Sequence, residues 1–423
     1  MVMLQLGQTL TLLVERPAVG GRMIARVDGQ VVLVAGALPG ERVSARIDRV
    51  GKGVAYAETV AVDEPSSDRR DPHTDPLCGG CLYAYITYQR QLEIKSVVIA
   101  DAFRRIARLS LPARVPVAPS PTTGYRMRAR LHRRGRRLGF FREGTHDVCD
   151  ARTTGQLLAA TCDVLDRVGA ALAAMATDTV REVEVTENVD ASERVVHLQT
   201  APDSQGSSLD TLASTIEHVT GMTMSVAAGC HVLRGSAHVT DQLVFANETT
   251  VRIRRHVLAF FQGNRFLLRD LAEHVSAQIP ERSIVVDLYA GGGLFSVAAA
   301  RLRHALVTAV EGDRVAADDL AANASLTDGA VTAVHQSVET FTAVRSNPDV
   351  VIVDPPRTGM SKEALASLMR LRAGRLVYVS CDVATLARDA RRLVDSGYAI
   401  TRADAFDLFP NTPHVETVVV FER

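Results

Sequence analysis

The stretch Ile284-Val-Val-Asp-Leu-Tyr-Ala-Gly-Gly-Gly-Leu-Phe-Ser296 constrains this chain more than any other. Ile284 to Leu288 is a short apolar run bounded by turn signals, the pattern of a buried parallel strand. Gly291, Gly292 and Gly293 follow, and residues 294–301 read as a helix. Glycine admits positive φ and close approach of a ligand, and a helix start presents unpaired N–H groups. About 20 residues after the glycines a second apolar run, 305–310, ends in Glu311, and an acidic residue at that strand tip suits a ribose diol. The expected unit is a nucleoside-cofactor site on an open α/β sheet. The bland alternative is a glycine-rich turn that holds no ligand.

The remainder of the C-terminal part alternates strands and helices as a doubly wound sheet requires. Strands are expected at 349–353, 376–380 and 415–421, with helices near 313–324, 362–371 and 384–396. Upstream, residues 1–60 hold short alternating segments separated by Gly20-Gly21, Asp28-Gly29 and Pro39-Gly40, which predicts a small OB-like β-barrel. A polar stretch, 63–75, reads as a linker, and 89–106 has helical periodicity. The predicted organisation is an OB-like barrel over 1–62, a linker with Cys78-Gly-Gly-Cys81 over 63–90, an α+β central domain over 91–255, and a Rossmann-like domain over 256–423. Residues 155–245 suggest packing and no chemistry.

From Tyr125 the chain alternates strictly: Tyr125, Met127, Ala129 and Leu131 on one face, Arg126, Arg128, Arg130 and His132 on the other. Arg134-Gly135 predicts a turn, after which Leu138 and Phe140 resume the apolar face. An arginine-lined face is costly in self-repulsion unless it meets anions, so Arg126, Arg128 and Arg130 are expected to contact phosphates rather than water alone. The formal net charge is zero, so affinity for nucleic acid must come from such a local patch. No signal peptide or membrane-spanning stretch is evident, and six cysteines are too few for a disulfide scaffold. A cytoplasmic, monomeric protein is the expectation.

Ligands of an open α/β sheet bind beyond the carboxyl ends of its strands. There the chain carries Asp354-Pro-Pro-Arg357, Ser380-Cys-Asp382, and His414-Val-Glu416 opening the last strand. The glycine triplet does not fit the G-x-G-x-x-G dinucleotide spacing. Asp287 and Tyr289 before it instead resemble the first motif of class I S-adenosylmethionine methyltransferases. Enzymes of that class that methylate amino groups place an aromatic residue after Asp/Asn-Pro-Pro, where this chain has Arg357. Cys381 by itself is most simply a small buried hydrophobe. Paired with a carboxylate, it suits methylation of a uracil at C5. Addition of a thiolate at C6 makes C5 nucleophilic, and a base must then remove the C5 proton before the thiol can leave.

Phe260-Phe-Gln-Gly-Asn264, Asp287-Leu-Tyr-Ala-Gly291, Asp354-Pro-Pro-Arg-Thr-Gly359, Ser380-Cys-Asp382, Ala384-Thr-Leu-Ala-Arg-Asp389 and Phe409-Pro-Asn-Thr-Pro-His-Val-Glu416 together resemble the RNA uridine-5-methyltransferase family. Residues 1–60 resemble the TRAM domain of its 23S rRNA branch, and the Tyr125–His146 hairpin resembles its RNA-contacting domain. The resemblance implies Cys381 as nucleophile and Glu416 as base. It implies Gln262, Asp354 and Arg357 around the uracil, and Gln262, Tyr289, Gly291, Glu311 and Asp354 around S-adenosylmethionine. It further implies RNA as partner, rRNA ahead of tRNA. The rival readings are a tRNA-directed enzyme and a catalytically silent RNA-binding or chaperone protein. Cys381 and Glu416 argue against silence.

Many rRNA members also hold a four-cysteine iron–sulfur cluster. Here Cys78 and Cys81 fill the C-x-x-C, the lone upstream place falls at Pro72 with His73 beside it, and the distant place falls near Thr154 with Cys149 five residues earlier. Cys78, Cys81 and Cys149 are thus the candidate ligands of an incomplete [4Fe-4S] set, and the alternative is a relic loop with free thiols. Two further departures are Val383, where a proline is common, and Ser337, where an aspartate for the adenine is common.

Overall fold

The computed structural model describes residues 4–175, 179–200, 207–227, 229–342 and 347–423. Five strands, Thr9–Pro17, Met23–Val27, Gln30–Ala35, Arg42–Gly51 and Val54–Glu64, close into a barrel. Alternation within each strand sends Leu12, Val14, Met23, Ala25, Val32, Val34, Val43, Ala45, Ala55 and Ala57 inward, which is why so short a segment can bury a core of its own.

The stretch read as a linker is tied to the barrel through Ser66 and Arg69. Glu41, fully buried, accepts hydrogen bonds from Arg69 Nε and Nη2 at 2.7 Å each, and from the amides of Leu38 and Ser66. A buried carboxylate needs such partners.

The central domain is a seven-stranded sheet, ordered Gly229–Gly235, Gly221–Val226, Arg194–Thr200, Val180–Glu187, Arg128–Arg134, Arg137–Phe141 and Val148–Asp150. Helices Ala159–Ala174 and Ser207–Thr215 cover one face, packing Leu165, Val168 and Leu212 onto Leu131, Val183 and Leu198. A two-stranded ribbon, His238–Val244 with Thr250–His256, leads into the C-terminal domain.

The C-terminal sheet has eight strands in the order Val331–His335, Leu306–Glu311, Ile284–Leu288, Val350–Val353, Arg375–Ser380, Glu416–Glu422, Ala399–Phe406 and Val117–Ala118. The first five run parallel, and Glu416–Glu422 is antiparallel to both neighbours. The chain winds outward from Ile284–Leu288 through Leu306–Glu311 to Val331–His335, then returns to add Val350–Val353 on the other side of Ile284–Leu288, and this switch in strand order makes the crevice where α/β sheets bind ligands. Apolar clusters fill both faces, as a parallel sheet requires.

One expected boundary moves. Helix Tyr88–Ala102, expected to straddle the linker and the central domain, and strand Val117–Ala118, expected in the central domain, pack with the C-terminal one. Ile99, Ala102 and Phe103 lie under the C-terminal sheet, and Val117–Ala118 extends its edge. Among the described residues no helix is long and apolar enough to cross a membrane.

Candidate active site

A cavity of about 700 Å³ opens at the carboxyl ends of the parallel strands. Of the residues singled out by sequence, Gln262, Tyr289, Gly291, Glu311, Asp354, Arg357, Cys381 and Glu416 line it, as do Arg126 and Arg128. Strand register brings the reactive pair together. Ser380 pairs with Thr417 in the antiparallel ladder, so the next residue on each strand, Cys381 and Glu416, face each other where the pair ends.

The loop around Cys381 is held from behind. Asp382 caps helix Val383–Asp395 by accepting the amide of Thr385 at 2.8 Å. Buried Asp389, on that helix, accepts from the amide of Met360 and from Tyr378 Oη, both at 2.9 Å. Arg388 reaches the carbonyls of Thr358 and Met360. Gly359, at φ +72°, lies against Arg388, Asp389 and Thr385, leaving no room for a Cβ. The Ala384–Asp389 motif is therefore the buttress of the Asp354–Gly359 loop. Val383 is simply the buried first residue of its helix.

Burial, reinforced by the neighbouring Glu416 charge, pushes the Cys381 thiol up to about 12, while the Arg357 charge pulls it down. Glu416 is buried and one of its carboxyl oxygens lacks a partner. Burial and then the Asp354 charge raise it well above the usual carboxylate range. Burial likewise lifts Asp354 to about 7, with Asp287 adding to it, and Gln262 donates to Asp354 at 3.3 Å.

The glycine turn follows the expected design. Gly293 adopts φ +90°, and a Cβ there would strike Leu320 at 2.7 Å. Positions 291 and 263 are open, with nothing within 4 Å of an added Cβ. Glu311 accepts the amides of Gly291 and Asp313. Asp287, beneath the turn, accepts from Ser296 Oγ at 2.5 Å, and burial lifts it to about 7. Four carboxyl groups around an open, largely apolar space fit a ligand with a nucleoside diol at one end and positive charge at the other. That is the chemistry of S-adenosylmethionine, so the residues fit this cofactor. Ser337 bonds Thr340 instead of lining the cavity, and Glu339 turns to Ser361.

The arginine face differs from expectation. Residue Arg128 ion-pairs with Glu184 at 2.9 Å, and Arg130 with Glu182 at 2.7 Å. The register aligns Arg130 with Glu184 and His132 with Glu182, so acidic residues on the next strand neutralise this row. The Glu182 and Glu184 alternation was the overlooked signal. Only Arg126 of the three lacks a carboxylate partner: it donates to Gln156 Oε1 at 2.7 Å and to the Arg128 carbonyl at 2.9 Å.

The cluster ligands are also corrected. Cys78 and Cys149 form a disulfide with Cα atoms 6.0 Å apart. The neighbouring Cys81 is a buried thiol, raised to about 11 by burial. Among the described residues, no group of three or more His, Cys, Asp or Glu is arranged to hold a metal. The residues present do not fit an iron–sulfur cluster.

Sequence reasoning missed how the Phe409–Glu416 loop is secured. Lys95, buried, pairs with Asp407 at 2.5 Å and donates to the Phe409 carbonyl. Gln91 exchanges hydrogen bonds with Asn411, which sits at φ 62°. Two polar residues on the buried face of a helix were the available signal.

The profile described as tRNA (uracil-5-)-methyltransferase matches residues 207–423, and a TRAM domain matches 4–60. The chain is 32% identical to the 23S rRNA (uracil(1939)-C(5))-methyltransferase of Methylococcus capsulatus, over 97% of this chain and 96% of that one. It is 34% identical to the protein of the same description from Alkalilimnicola ehrlichii, over 95% and 94%. It is 31% identical to an uncharacterized RNA methyltransferase of Nitratidesulfovibrio vulgaris, over 99% and 96%. The crystal structure of Pyrococcus abyssi tRNA (uracil-54, C5)-methyltransferase with S-adenosyl-L-homocysteine shares the fold, with a TM-score of 0.77 at 23% identity over 97% of this chain and 99% of that one.

Proposed function

The chain belongs to the tRNA (uracil-5-)-methyltransferase family, and from that premise we propose how it methylates C5 of a uridine in RNA and which RNA it acts on. The observation that carries the mechanism is that Cys381 and Glu416, adjacent in the strand register, line one cavity with Asp354 and Arg357. S-adenosylmethionine, held in this reading by Gln262, Tyr289, Gly291, Glu311 and Asp354, supplies an electrophilic methyl group.

Arg357 stabilises Cys381 as thiolate, against the burial that favours the thiol. The sulfur adds to C6 of the uracil and makes C5 nucleophilic; C5 would then take the methyl group, whose bond to the cofactor's sulfur breaks with its electron pair left on that sulfur. Gln262, steadied by its hydrogen bond to Asp354, orients the base. Glu416 takes the C5 proton, the C6–S bond breaks, and Cys381 leaves as thiolate. The proton on Glu416 then passes to solvent. Burial that raises this carboxyl makes its ionised form a stronger base.

The substrate in this reading is 23S rRNA. Support comes from relatives described as 23S rRNA enzymes that match nearly end to end at 32% and 34% identity, and from the N-terminal barrel. The protein acts as a cytoplasmic monomer, with RNA as its macromolecular partner. Mapping 5-methyluridine across 23S rRNA and tRNA in a deletion strain tests this. Loss of one uridine modification in 23S rRNA is the expected result. Loss confined to tRNA reassigns the substrate, and loss in neither overturns the proposal.

A further inference from the structure

We infer that the tip of the central hairpin, Arg134, Arg136 and Arg137 with Arg181 beside them, is a second anchoring surface for the phosphate backbone of the substrate RNA, remote from the catalytic cavity. The inference rests on RNA being the substrate and adds where, away from the reacting uridine, that RNA is gripped.

Segment Arg133-Arg-Gly-Arg-Arg137 places four arginines in five residues at the turn between strands Arg128–Arg134 and Arg137–Phe141. Arg133 is occupied, donating to the carbonyls of Gly135, Val180 and Leu172. The other three, and Arg181 on the adjoining strand, are exposed. Among the described residues none of these four has a carboxylate partner, and Arg134 makes only a long 3.4 Å hydrogen bond to the His146 carbonyl. Arg128 and Arg130 on the same strand are neutralised by Glu184 and Glu182. The uncompensated charge of the hairpin is thus gathered at its tip, in a chain whose 48 basic and 48 acidic residues cancel. Like charges held this close repel unless anions join them.

The tip borders a shaped recess. A cleft of about 450 Å³ runs between the hairpin and the start of Val180–Glu187, lined by His132, Arg134, Phe141, Arg181 and Glu182 among others. The His132 and Phe141 rings stack 3.5 Å apart and nearly parallel, at 7°, and His146 meets Phe141 edge-on. Cationic groups beside flat rings are what a nucleic-acid strand uses. Arg126 lies in the catalytic cavity, and Arg134 is eight residues further along an extended strand, so about 25 Å separates the two. A minimal substrate filling the cavity does not reach the tip, whereas a folded RNA does.

The test compares the full-length triple variants Arg134→Ala/Arg136→Ala/Arg137→Ala and Arg134→Lys/Arg136→Lys/Arg137→Lys with the unaltered protein. Two probes are used: a 23S rRNA transcript in filter binding, and a uridine trinucleotide in methyl transfer. The alanine variant should weaken transcript binding roughly tenfold and flatten the slope of log affinity against log salt by about 2, the loss of about three phosphate contacts. The lysine variant should keep most of both, and all three proteins should methylate the trinucleotide equally. An alanine variant with unchanged affinity and slope overturns the inference. So does equal loss on the trinucleotide, which marks a structural role. If the unaltered protein binds the transcript and methylates it while the alanine variant matches it, only this inference falls. If the unaltered protein neither binds nor methylates RNA, the proposed function falls as well.

Discussion

Glu311 accepts the amide of Gly291 at 2.8 Å across 20 positions of sequence, and its second oxygen accepts the amide of Asp313 at 2.7 Å. The carboxylate is therefore aimed into the cavity before any ligand arrives, with lone pairs left for a diol. Glu311→Ala should weaken S-adenosylmethionine binding by roughly 1–3 kcal/mol, the scale of a charge-assisted hydrogen bond. Calorimetry reads this directly, and an unchanged affinity removes Glu311 from the site.

Buried Asp287 gives a prediction with a sign. Its folded-state value is lifted from 3.8 to about 7 by burial, so the fold keeps a proton that the unfolded chain has lost. The stability tied to that proton is full below about 4 and disappears as pH climbs through about 7. Asp287→Asn has no proton to lose. Relative to the unaltered protein, this variant should therefore gain stability between pH 5 and 8, by on the order of 2–4 kcal/mol. Urea melts of the ligand-free protein at both pH values measure it. A difference that stays constant with pH shows that Asp287 is ionised in the fold.

Much of the fold was legible because its signals are local. Apolar runs ending in Glu311, Asp354 and Cys381 mark strand tips, and Gly291–Gly293 mark the turn, so the residues of the cavity are legible from local sequence alone. What was hidden depends on partners far apart in sequence. Arg128 and Arg130 look like a free cationic face until strand pairing sets Glu184 and Glu182 beside them. Lys95 carries no local sign of a partner, and its partner Asp407 is 312 residues away. The cysteines were misread for the same reason: Cys78 and Cys149 are 71 residues apart, and only the packing of the Cys78–Cys81 turn on Phe140–Arg142 makes them neighbours.

That pairing can be counted. Denatured under alkylating, non-reducing conditions, the protein should show four free thiols, those of Cys81, Cys162, Cys230 and Cys381. Iron and acid-labile sulfide should be absent from protein purified without oxygen. Reduction should lower the unfolding free energy by about 4 kcal/mol, the chain-entropy scale for a loop of this length. Six thiols, or four irons per chain, overturn the assignment.

The two halves of the proposed mechanism should fail differently. Cys381 acts before methyl transfer, because its addition to C6 is what makes C5 reactive. Glu416 acts afterwards, because only loss of the C5 proton lets the sulfur leave. Cys381→Ala should bind RNA and cofactor yet form no covalent species. Glu416→Gln keeps the shape of the side chain and loses the proton acceptor, a change that typically slows a reaction by about 10²–10⁴. Its addition step remains, and removing the carboxyl also removes the second-largest influence raising the Cys381 thiol. The variant should therefore accumulate a methylated protein–RNA adduct joined through Cys381. With a labelled methyl group on the cofactor, the adduct runs as a labelled, RNA-sized upward shift on a denaturing gel, and a second substitution, Cys381→Ala, abolishes it. Normal turnover by Glu416→Gln means another group removes the proton. If neither adduct nor product forms, the carboxylate is needed before the sulfur adds, and the order of steps proposed here is wrong.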